Sequence, residues 1–69
     1  MFKIEIGKVY IYKNPLYPGL KYRVQILMLD KSNKFAFVKI VKIFGVHEKI
    51  SALVGDQIWL RTRLLSRNI

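Results

Sequence analysis

Apolar and polar side chains alternate with a period of two along most of this 69-residue chain, the pattern of strands buried on one face. Residues 2–6, FKIEI, alternate apolar and charged and predict a first strand, which Gly7 and Lys8 interrupt. Residues 9–12, VYIY, then place Val9 and Ile11 on one face and Tyr10 and Tyr12 on the other. In residues 20–29, Tyr22, Val24, Ile26 and Met28 form one face, while Lys21, Arg23 and Gln25 open the other, which ends in Leu27 and Leu29. In residues 35–44, FAFVKIVKIF, Ala36, Val38 and Ile40 are expected inside and Phe35, Phe37 and Lys39 outside. The phase then slips, because Lys39 and Lys42 stand three apart, and a bulge or sharp bend at residues 40–42 would repair it. A helix over this run is disfavoured by its β-branched and aromatic residues.

Turn chemistry punctuates these runs. Residues 13–19, KNPLYPG, form a loop: Pro15 pushes Asn14 away from helix, and Pro18-Gly19 suits a type II turn. Residues 30–34, DKSNK, are a polar connection that makes a hairpin of the two long runs. Residues 46–50, VHEKI, read as a short fourth strand or an irregular return, and residues 51–54 as a single helical turn. The last run, GDQIWLRTRLL over 55–65, reads as a strand with Trp59, Arg61 and Arg63 on one face and Ile58, Leu60, Thr62 and Leu64 on the other. A helix over residues 56–67, with Asp56 as N-cap and Leu60 and Leu64 at i, i+4, is the rival. The long tyrosine-containing loop after the first strand is similar in topology to that of small SH3-like barrels. The expected fold is therefore one all-β domain, an SH3-like or related barrel of about five antiparallel strands.

Composition sharpens this picture. A chain this short buries only about 60% of the surface it exposes unfolded, and it has no cysteine to staple it. Yet 52% of its residues are hydrophobic. A small core with an exposed apolar patch, or a homo-oligomer that covers the patch, is expected. No run of apolar residues approaches the roughly 20 needed to span a bilayer, and residues 1–12 carry charges where a secretory leader needs an apolar centre. A cytoplasmic protein with no membrane partner is the expectation.

Charge changes the picture most. Thirteen Lys and Arg stand against four Asp and Glu, a net charge of +9, which draws the chain to polyanions. Catalytic chemistry is sparse. Glu5, Asp30, Glu48 and Asp56 are scattered, His47 stands alone, and the four glycines are isolated, so no acid pair, nucleophile triad, metal set or phosphate-cradling loop is visible. Neither an enzyme nor a cofactor is expected. Asn14-Pro15-Leu16-Tyr17 matches an Asn-Pro-x-Tyr adaptor-binding pattern, but a proline turn explains it more simply.

Lys21, Arg23, Phe37, Lys39, Trp59, Arg61 and Arg63 form the candidate nucleic-acid-binding set. The cations would neutralise phosphates of DNA or RNA, and Trp59, Phe37, Tyr10 or Tyr12 would stack on bases. The competing reading of Trp59 is a core anchor, with the arginines as solvated flankers. A second functional class is a protein-interaction module, such as a phage or mobile-element inhibitor or adaptor docking on a larger partner.

Overall fold

The structure, a computed structural model, describes residues 3–17, 19–45 and 53–67. Among the described residues five strands, β1 (Val9–Lys13), β2 (Lys21–Leu29), β3 (Phe35–Phe44), β4 (Gln57–Arg61) and β5 (Leu65–Ser66), form one antiparallel sheet. Its order is β4-β3-β2-β1-β5. A single 3₁₀ turn, Thr62–Leu64, joins β4 to β5. The all-β expectation holds. Among the described residues no ladder joins β4 to β5, so the sheet is not closed.

The alternation puts one face of the sheet inside. Tyr10, Leu20, Tyr22, Val24, Ile26, Ala36, Val38, Ile40, Leu60 and Leu65 form the core, and Val24, Ile26, Val38 and Ile40 at its centre are fully buried. Each such aliphatic side chain contributes about 1.5–3 kcal/mol by leaving water. Tyr12 and Tyr22, paired across β1 and β2, stack at 5.7 Å on this side. Ile11 faces the other way and is nonetheless 3% exposed, opposite Arg23 in the ladder.

Two bulges set the faces of the long strands. On β3, Lys42 pairs with Arg23 and Ile40 with Val24, leaving Val41 as the extra residue. This is the bulge that the slipped phase of residues 40–42 requires, and it returns Lys42 to the outer face. On β2, Ile26 pairs with Val38 and Met28 with Phe37, so Leu27 is extra. That bulge corrects the sequence reading of Met28, which turns outward and is 50% exposed. Strict alternation failed there because a run of three apolar residues, Ile26-Leu27-Met28, carries no polar mark of the slip.

The ends of the chain depart further from the alternation. Residues 3–5 are irregular, and Ile6-Gly7 form a turn, with Gly7 at φ 87°. Residues 2–6 are therefore not a strand over their described part. The segment folds back on β1, where the Glu5 amide donates to the Tyr10 hydroxyl at 2.9 Å, and Gly7 and Lys8 pair with Ile26 instead. The expected strand over 46–50 and residues 51 and 52 of the expected helical turn lie outside the described residues. Leu53 is not helical, and residues 53–56 close a turn in which Asp56 caps the Leu53 amide through Oδ2 at 2.9 Å.

No helix runs from Asp56 to Arg67. The edge of β3 offers hydrogen bonds that an isolated helix cannot match: Ile40 and Gly55–Asp56 exchange bonds of 2.7 and 2.8 Å, and β4 follows in register. The last strand, however, stops at Arg61 rather than continuing to residue 65. The Thr62 amide donates to Lys34 O at 2.9 Å and its hydroxyl to Asn33 O at 2.8 Å. These bonds draw the chain onto the β2–β3 turn, and Leu65 then enters beside Tyr12 of β1.

Candidate functional site

The register builds the outer face of the sheet row by row, because residues directly opposite in an antiparallel pair share a face. Phe35 lies opposite Arg61, Phe37 opposite Trp59 and Met28, and Lys39 opposite Gln57 and Gln25. Past the β3 bulge, Lys42 lies opposite Arg23, and Phe44 opposite Lys21, which in turn faces Lys13 of β1. Six predicted site residues, Lys21, Arg23, Phe37, Lys39, Trp59 and Arg61, are thus on one surface.

Arg63 is the exception. It stands on the 3₁₀ turn and lines a cleft with Lys3, Ile4, Leu29 and Leu65, away from the rows above. The pattern that put it with Trp59 and Arg61 assumed a strand that the bonds of Thr62 end. Arg23 and Lys39 are expected neighbours across the hairpin; they lie on one face, but Lys42 rather than Lys39 is Arg23's direct partner.

Trp59 is 52% exposed, which settles against its being a core anchor. Its ring packs on Phe37 at 5.3 Å between centroids, with planes tilted by 46°. Tyr10 and Tyr12 face inward and do not join this surface. The Tyr10 hydroxyl accepts from the Glu5 amide and donates to Lys3 O. Burial raises the phenol pKa of Tyr12; burial and then Tyr12 itself raise that of Tyr22.

Sequence reasoning puts Phe35 outward but leaves it out of the candidate set, and it misses Lys13, Lys42 and Phe44 as members of the face. Lys42 was within reach of it: a bulge at residues 40–42 implies that Lys42 rejoins Lys39. The sequence puts Lys13 at the start of the 13–19 loop; the structure corrects this, because Lys13 ends β1 and pairs with Lys21. The phenylalanines take cations over their rings: Arg61 stands over Phe35 at 5.7 Å, and both Arg23 at 5.6 Å and Lys42 at 5.1 Å approach Phe44.

The electrostatics of this face have one sign. The five strands hold Lys13, Lys21, Arg23, Lys39, Lys42 and Arg61 and no acid. Every one of the six strand cations is on the outer face by register. Of the described acids, Glu5 precedes β1, and Asp30 and Asp56 are committed to turns. Among the described residues, no three His, Cys, Asp or Glu side chains group as a metal site requires, and no helix is long and apolar enough to cross a membrane. Asn14-Pro15-Leu16-Tyr17 forms a bend in which Asn14 Oδ1 accepts from the Leu16 amide at 2.9 Å. Comparison with protein-family models, curated proteins and solved structures finds no match.

Proposed function

We propose that this is a nucleic-acid-binding protein of the SH3-like barrel type, which takes the phosphate backbone on the outer face of β2–β3–β4 with little preference for sequence. The barrel assignment is supported by the β1–β4 meander, the 3₁₀ turn between β4 and β5, and the return of β5 to β1. The observation that carries the function is the placing of six cations and no acid on the strands' outer face. Arg23 and Lys42 stand directly opposite each other, an arrangement that costs stability. A polyanion would offset that cost, and a nucleic-acid backbone is a polyanion of high linear charge density. Binding through backbone charge reads no base edges, so sequence preference is weak.

The test is a titration of a labelled oligonucleotide at several salt concentrations. The logarithm of the binding constant should fall linearly with that of salt, by about 0.7 per phosphate contacted on a single strand and about 0.9 on a duplex. Arg23→Ala, Lys42→Ala and Arg61→Ala should each weaken binding and flatten the slope. Arg63→Ala, off the face, should do so least. Absence of any complex at micromolar protein and low salt would end this reading. Recovery of one protein partner after nuclease treatment would favour the interaction-module class instead.

A further inference from the structure

We infer that the nucleic acid this face takes is single-stranded, with unpaired bases seated on the Phe37–Trp59 pair. This rests on the nucleic-acid reading above and adds the class of strand. The face has an order along its length. Arg61 and Phe35 stand at one end, Arg23, Lys42 and Phe44 at the other, and Phe37 and Trp59 between Arg61 and Lys39. Along β3, from the Phe35 row to the Lys42 row, the distance is about 20 Å at ~3.3 Å per residue. A backbone that follows the cations therefore crosses the aromatic pair on its way.

The aromatics differ in how they are occupied. Phe35 and Phe44 each lie beneath a cation of this chain. Phe37 and Trp59 lean on each other, tilted, and Trp59 keeps half its surface open to solvent. Met28, opposite Phe37, extends the apolar row across the sheet and is as exposed as Trp59. This row is outside the core, which is on the other face. Against a duplex it would meet phosphates and sugars, because paired bases stack on one another and hide their π-faces. Against a single strand it meets those faces directly, the arrangement that makes stacking sequence-tolerant. The length of the face corresponds to the lower end of the roughly 4–16 nucleotides that single-strand-binding barrels cover.

The experiment compares a 20-nucleotide oligothymidylate with a 20-base-pair duplex, reading anisotropy and the fluorescence of Trp59, the sole tryptophan. The single strand is expected to bind more tightly and to quench Trp59, while the duplex leaves its emission unchanged. Trp59→Ala should weaken single-strand binding about 10-fold or more and leave duplex binding unaltered, and Trp59→Phe should retain most of the affinity. Circular dichroism of each variant checks the fold, and the quenching in the unaltered protein does not depend on any variant. Equal affinity for both oligonucleotides with unchanged emission would overturn the single-strand inference and leave the phosphate reading standing. No binding to either would remove both.

Discussion

Asp30 shows how much one side chain organises. Its carboxylate accepts from the Ser32 hydroxyl at 2.7 Å and from the amides of Lys34 and Phe35 at 3.1 Å each. The turn that it closes places Asn33 at φ 58°, a conformation asparagine tolerates. The Ser32 bond first, and then the amides, hold the Asp30 carboxyl below its ordinary range. A group whose folded pKa is depressed adds stability above its unfolded pKa and loses it as pH falls through the folded value. The melting temperature should therefore drop as pH falls below about 4. Asp30→Asn, which cannot accept the same set of bonds as a charge, should melt lower at neutral pH and show a shallower acid decline. An acid profile identical to the parent's would show that the turn owes nothing to this charge. Gly45 is a residue-scale constraint of another kind. It adopts φ 87°, and a Cβ there would collide with the Gly19 carbonyl oxygen, so the end of β3 and the β1–β2 loop approach only through glycine.

At the scale of the element, β3 carries both halves of the protein. Its inner residues Ala36, Val38 and Ile40 are core, and its outer residues Phe35, Phe37, Lys39 and Lys42 are the face. The Val41 bulge lets one strand do both across its whole length. The slip was legible because Lys39 and Lys42 mark it with charge; the Leu27 bulge was not, since all its neighbours are apolar. The Arg23–Lys42 pair gives a test of what the face is for. Lys42→Glu replaces a like-charge pair by an opposite one, and it should stabilise the fold by a few tenths to about 1 kcal/mol. The same change should weaken oligonucleotide binding. Urea melts and anisotropy titrations on one preparation measure both, and a variant that loses stability, or gains it without losing affinity, would contradict the assignment of this pair to phosphate.

At the scale of the whole molecule, a net charge of +9 on 69 residues opposes compaction. Salt screens that self-repulsion over a Debye length of about 10 Å at 0.1 M. The free protein should become more stable between about 50 and about 200 mM salt while its affinity for nucleic acid falls over the same range. Thermal melts with and without oligonucleotide would show the two trends diverge; a stability indifferent to salt would mean that the repulsion is negligible. The sequence by itself determined the all-β class, the β2–β3 hairpin, the inward face of β3 and that of β2 as far as Ile26, and the cationic outer face, because period-two alternation and turn residues act locally. Only tertiary structure decided that β4 stops at Arg61, that Trp59 stands outside, that residues 3–5 fold back rather than pair, and that Lys13 joins the face. Those outcomes depend on which partners the fold brings within reach: the Lys34 and Asn33 carbonyls for Thr62, the Tyr10 hydroxyl for the Glu5 amide, and Lys21 for Lys13. No local pattern carries that information.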